Sequence, residues 1–230
     1  MKPVLSRLAK WLWKEWIKPV APVCILLFAV RSSLADWNDV PTGSMQPTIV
    51  EGDRVWVNKL AYDLKVPFTT WHVAEWSHPK RGDVVVFFSP KDGMRLVKRV
   101  IGLPGDTIEL RAGRLFLNGK ETEYEDPTES VSAFGTVAIP ALQWKEELAD
   151  HPHRMQLLPT VNASRDFAKT VVGEGRYFMM GDNRDNSLDS RFIGEVGRSR
   201  IVGRVSNVVV SFEPGAFLKA RSGRWFRPLD

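Results

Sequence analysis

Two hydrophobic patterns divide the chain. Residues 17–30 form one apolar stretch, interrupted by Lys18 alone and closed by Arg31. Its uncharged part, 19–30, is 12 residues long, where an α-helix needs about 20 to cross a bilayer. From residue 50 onward the apolar positions recur at period two instead. Asp53–Asn58 and 94–101 alternate, and 83–88 is a short apolar run between Gly82 and Pro90. Residues 107–110 and Arg114–Leu117, with Asn118-Gly119 behind them, predict hairpin strands, and Arg176–Met180 and 201–212 predict more. Short alternating runs punctuated by Gly and Pro predict a mainly β fold, an antiparallel sheet or barrel-like domain preceded by an N-terminal helix.

Residues 120–172 break this pattern. They are polar and carry Pro127, Pro140, Pro152 and Pro159. They read as an insertion with little regular structure between two halves of a β core, 36–119 and 173–230. Within the insertion only 142–149 has helical spacing.

Composition narrows the class. A chain of 230 residues with 43% hydrophobic and 26% charged residues is globular, which excludes a disordered, collagen-like or multi-span membrane protein. The single cysteine, Cys24, excludes an intrachain disulfide and a Cys-based zinc site. The net charge of +5 suggests nucleic acid until it is located. Residues 1–18 carry Lys2, Arg7, Lys10, Lys14 and Lys18 against Glu15 alone, and the other 212 residues hold 27 basic against 26 acidic groups. A basic flank directly before the apolar stretch predicts a cytoplasmic segment at 1–16, a membrane anchor at 17–35 and the remainder on the outer face, with no nucleic-acid partner. Lys18 and Arg31 would snorkel to the headgroups, and Trp11, Trp13 and Trp16 would lie in the interfacial belt. Two other readings stay open: a signal peptide cut after Ala35, at the small-x-small site Ser33-Leu34-Ala35, and a buried or interfacial helix.

The chemistry-bearing residues are few. His72, His78, His151 and His153 all fall in polar, loop-like stretches, and none neighbours a serine in an elbow motif, so a Ser-His-Asp site has little support. His151-Pro-His153 lacks further ligands at metal spacing. The acidic stretch 182–189 fails as a calcium loop, because Arg184 stands where an oxygen ligand is needed. Ser44, in Pro41-Thr-Gly-Ser-Met-Gln-Pro-Thr48, is a candidate nucleophile, with Gly43 allowing a backbone to approach it. Without a suitable histidine its base would be a lysine of lowered pKa. Lys98 alternates with Leu96 and Val100 on one face of 96–101, while Val97, Arg99 and Ile101 take the other. Burial on that apolar face disfavours the ammonium form. Residues 181–194, dense in polar groups, follow an apolar strand and suit a hydrogen-bonded network better than a random loop.

These segments, in this order behind a membrane-type segment, resemble the bacterial type I signal peptidases, which are membrane-anchored serine endopeptidases with a Ser/Lys pair. The resemblance runs through Ser44-Met-Gln-Pro-Thr48, Gly52-Asp-Arg-Val-Trp-Val57, Arg81-Gly-Asp-Val-Val-Val-Phe87, Val97-Lys-Arg-Val-Ile-Gly-Leu-Pro-Gly-Asp106 and Gly181-Asp-Asn-Arg-Asp-Asn-Ser-Leu-Asp-Ser-Arg191, with Gly203-Arg204 behind. It implies a β-rich catalytic domain with Ser44 as nucleophile and Lys98 as general base. It implies that Ser187 hydrogen-bonds and orients the Lys98 amine, that Asp189 and Arg191 form an ion pair holding the last loop, and that Asp182 supports the same network. The implied oxyanion hole is the Ser44 N–H with the Thr42 hydroxyl. No metal or cofactor is implied. The implied substrate is the signal peptide of an exported preprotein, cut after a small-x-small site. The implied setting is membrane lipid near the secretion translocon, single-pass in the bacterial inner membrane, with the catalytic domain outside. A specialised Ser/Lys processing peptidase, such as one for conjugation pilin, and an inactive anchored scaffold are the alternatives. A self-cleaving repressor would need a DNA-binding helix pair that residues 1–40 do not offer.

Overall fold

The computed structural model describes Trp11 and residues 13–66, 69, 71–134, 137–148, 151–215 and 219–229. The basic residues Lys2, Arg7 and Lys10 lie outside them. A π-helical turn, Trp13–Ile17, leads into α1, Lys18–Ser33. Sixteen residues at 1.5 Å each make a helix of about 24 Å, short of the roughly 30 Å hydrocarbon core. Among the described residues no helix is long and apolar enough to cross a membrane. The described residues do not show the spanning anchor expected over 17–35; the chain leaves the helix at Leu34 to enter β1, Ala35–Asp39.

The remaining strands, in chain order, are β2 (Asp53–Asn58), β3 (Asp63–Lys65), β4 (His72–Glu75), β5 (Val84–Phe88) and β6 (Arg95–Gly102). A hairpin of β7 (Thr107–Arg111) and β8 (Arg114–Leu117) follows, then β9 (Lys120–Glu121) and β10 (Glu123–Tyr124). Next come β11 (Thr128–Phe134), β12 (Val137–Leu148), β13 (His151–Leu157) and β14 (Phe167–Val171). The last group is β15 (Arg176–Met180), the short helix α2 (Ser190–Ile193), β16 (Val196–Gly197), β17 (Ile201–Ser211) and β18 (Arg227–Pro228). The main sheet runs β1-β2-β17-β5-β6-β15-β16, with β18 on β17, and its pairs are antiparallel. It curls into a half-barrel, so the mainly β expectation holds.

Strand β5 shows why the sheet is stable. Val84 and Val86 join one apolar cluster with Met45, Ile49, Val55 and Val57, while Val85 and Phe87 join another with Val100, Met179 and Ile201. Both faces of this strand are covered, which is why its sequence is a continuous apolar run rather than an alternation. The β7–β8 hairpin turns at Ala112-Gly113, both with positive φ, and Asn118-Gly119 makes the next turn into β9.

The insertion is not the irregular segment its polarity suggested. Residues 120–172 form strands β9 to β14, and 142–148, expected to be helical, is the second half of β12. That half has β10 on one side and β13 on the other, so pairing satisfies its backbone and overrides local propensity. The histidines move accordingly. His72 lies in β4 and His151 and His153 in β13, with His153 buried.

A buried ionic cluster binds this second sheet to the loop after β15. Glu146 of β12 accepts from Tyr124 Oη (2.6 Å) and from both terminal nitrogens of Arg184, and His153 Nε2 stands 3.2 Å away. Burial pushes the Glu146 carboxyl up, but Arg184 and His153 outweigh it and hold it far below the usual carboxylate range. Replacing Glu146→Ala leaves the Arg184 guanidinium buried without its counter-charge. It should destabilise the fold by about 3–5 kcal/mol, readable in thermal or urea unfolding; a change under about 1 kcal/mol would show that the cluster contributes little.

Candidate active site

Ser44 sits on a 3₁₀ turn, Gly43–Met45, in the connection between β1 and β2. Met45 drops into the core beneath the turn, which fixes the turn from below and leaves the serine side chain above. Lys98 is on β6 opposite Val85, and the residue is 2% exposed. The amine reaches Ser44 Oγ at 2.6 Å. Loss of hydration is the main effect on that amine. Asp189 and Asp182 favour its charged form from a distance, Arg191 opposes it, and the balance lowers its pKa from 10.5 to about 8.

Three connections keep the serine in place. Asn183 donates its backbone N–H to Ser44 O (3.2 Å) and its side-chain amide to Gly43 O (3.1 Å). Thr42 Oγ1 lies 3.4 Å from Ser44 Oγ. Beyond the turn, Gln46 donates to Ala133 O (3.2 Å) and accepts from Ser132 Oγ, so strand β11 braces the segment that follows the serine.

The loop after β15 supports the lysine side. Asp189 caps α2, receives Arg191 Nε and Nη2 at 2.8 Å each, and accepts from Gly181 N at 3.0 Å. Arg191 Nη2 also donates to Arg184 O (2.7 Å). Burial works against the Asp189 carboxylate, yet the Arg191 hydrogen bonds and charge hold it below the ordinary range. Asp182 is buried against Arg99, accepting from Nε and Nη2 at 2.8 Å each, and takes a third bond from Thr48 Oγ1 at 2.5 Å. Ser187 Oγ is buried and favours the charged form of the Asp189 carboxylate; among the described residues the Ser187–Lys98 bond that the resemblance implied is not formed.

Arg99, Asn183 and Thr48 were not marked as site residues by the sequence. The signal for Arg99 was available: an arginine inside the apolar run 96–101 must find a carboxylate, because it cannot lose its charge. Asn183 gave no signal, since its role depends on which turn the loop meets.

Asp63, His72 and Glu75 place one ligand atom each within 4.8 Å of one another. Asp63 already accepts from Lys65 and Arg198, so this is an ion-pair cluster whose buried carboxylate is balanced before any metal arrives.

The site presents a serine hydroxyl beside a buried amine on a curled antiparallel sheet. The chain belongs to the signal peptidase family, peptidase S26, whose family model matches residues 13–210, and it is a serine endopeptidase of the signal peptidase I type. It is 34% identical over 222 residues to Signal peptidase I of Pseudomonas aeruginosa, covering 91% of this chain and 77% of that one. It is 30% identical over 230 residues to Signal peptidase I of Buchnera aphidicola, covering 84% and 73%. It is 32% identical over 199 residues to Signal peptidase I of Bacillus licheniformis, covering 86% and 89%.

Gly181 tests how closely the two halves of the site must approach. A Cβ there would stand 2.4 Å from Ser44 O and 2.3 Å from Ser187 Oγ, and a backbone oxygen cannot move aside without moving Ser44. Gly181→Ala should lower kcat at least about 100-fold while substrate affinity changes little. Near wild-type kcat would show that the turn tolerates displacement.

Proposed function

We propose that this enzyme cleaves the signal peptides of exported preproteins through a Ser44 acyl-enzyme, with the neutral amine of Lys98 as general base. The observation that carries this reading is the 2.6 Å contact between Lys98 Nζ and Ser44 Oγ at a buried lysine. The amine takes the hydroxyl proton as Ser44 Oγ attacks the scissile carbonyl. The resulting ammonium gives that proton to the leaving amine. The Ser44 N–H and the Thr42 hydroxyl stabilise the oxyanion. A water deprotonated by Lys98 then releases the acyl group. Asp189, Arg191, Asp182 and Ser187 hold the walls of the site and do not touch the reacting atoms.

Open pairing edges support an extended substrate. Strand β15 pairs with β6 only from Arg99 onward, and β1 pairs only with β2 among the described residues. A peptide strand can lie along Leu96-Val97 beside the lysine, which presents alternate side chains to shallow pockets that accept small residues. For the membrane, the support is the basic flank, the apolar α1 and the exposed Trp11, Trp13 and Trp16. These attach the enzyme to the bacterial inner membrane with the N-terminus cytoplasmic and the catalytic domain on the outer face near the translocon. A lipid-held substrate and enzyme share one surface, which raises their effective concentration.

The test is cleavage of a preprotein in detergent or lipid by wild type, Ser44→Ala and Lys98→Ala, with the cut site read by mass spectrometry. Cleavage after a small-x-small site should be lost in both variants. In single turnover the wild-type rate should rise about tenfold per pH unit up to about 8 and level off above, because only the neutral amine accepts a proton. A flat profile through pH 6–10, or a Lys98→Ala variant that still cleaves, would overturn the mechanism.

A further inference from the structure

The C-terminal end of α1 opens on a cavity of about 540 Å³. Lys59, Lys65, Arg95 and Arg200 line it together with Trp71 and Phe88, and Ser32 and Ser33 of α1 form part of its wall. Among the described residues no carboxylate lines it. Two carboxylates stand behind the wall. Asp36 lies 3.7 Å from both Lys59 and Arg95, and Asp63 bonds Lys65 and Arg198. Even with Glu75 counted beyond them, the cations outnumber the anions. Lys59 Nζ donates to Ser32 O at 3.0 Å, which covers the carbonyl end of the helix that would otherwise repel an anion. Arg200 is exposed and makes one 3.4 Å contact with Ser89 O. Trp71 is 74% exposed.

We propose that this cavity binds the phosphate headgroup of an anionic phospholipid. Lysine and arginine donors around a recess match a phosphate group, and an exposed indole at the mouth suits the headgroup layer. The choice of lipid over a free phosphate rests on the membrane attachment of α1 proposed above, which brings the end of α1, and the cavity with it, to headgroup level. The consequence is that one bound anionic lipid fixes the height of the catalytic domain over the bilayer. Each basic residue near an anionic surface contributes an attraction equivalent to about fivefold in affinity.

The test uses the full chain in neutral-detergent micelles, titrated separately with a short-chain phosphatidylglycerol, a short-chain phosphatidylcholine and inorganic phosphate, with binding read by native mass spectrometry. Phosphatidylglycerol should bind at least about fivefold more tightly than either other probe. Arg200→Gln should weaken it about fivefold, Arg200→Glu more, and Arg200→Lys should restore most of it. Equal binding of the two lipids, or an Arg200→Glu variant that binds like wild type, would overturn the proposal. Inorganic phosphate binding as tightly as the lipid would make this a free-anion site and overturn the lipid assignment. Displacement of the lipid by an uncharged, apolar signal-sequence peptide would place the cavity on the substrate path and overturn it too. Co-sedimentation with neutral phosphatidylcholine vesicles tests the membrane attachment of α1 separately. If it fails while the micelle preference persists, the attachment reading falls and the headgroup site stands.

Discussion

The site depends on removing one lysine amine from water. Lys98 projects from β6 onto a face otherwise made of Leu96, Val85 and Val100, and the half-barrel closes over it. An amine held at about 8 instead of 10.5 carries a burden of about 3 kcal/mol at neutral pH. The sign follows from linkage. Between the folded and unfolded values the unfolded chain binds more protons, so stability rises with pH across that window and is lowest below it. The fold tolerates this burden because β5 is apolar on both faces and packs two clusters at once.

The charged groups near the lysine are arranged so that they do not cancel the effect of burial. Asp189 is held by Arg191 and Asp182 by Arg99, each through two charge-assisted bonds. A bare carboxylate at either position would pair with Lys98 and keep it protonated. Committed to their arginines, both carboxylates act on the amine only from a distance. The same residues brace the serine. Asp182 leads into Asn183, which hydrogen-bonds the turn that carries Ser44. One loop thereby acts on both the charge of the Lys98 amine and the position of Ser44.

Much of this was legible in the chain. The alternation of 94–101 placed Lys98 among aliphatic neighbours, and the apolar run 83–88 marked the strand β5. The motif implied an Asp189–Arg191 pair, and the two side chains lie 2.8 Å apart. What escaped was non-local. The second sheet was hidden because its strands carry Glu146, His153 and Gln156 inward, and polar residues buried in a paired network look like solvent-facing ones. Where the Ser187 side chain sits depends on its close packing against Gly181, which no motif encodes. The length of the N-terminal helix was not legible either, since the helix ends where the strand that pairs with β2 begins.

The central claim is that Lys98 is a weakly basic amine at rest, before any substrate arrives. NMR titration of the lysine side chains in full-length enzyme labelled at ¹³Cε and ¹⁵Nζ, with Lys98 assigned by its loss in Lys98→Arg, measures this without catalysis. A midpoint near 8 is the result this account predicts. A midpoint near 10.5, the value of an exposed lysine, would contradict it, because the amine beside Ser44 would then be an ammonium at working pH and could not take the serine proton.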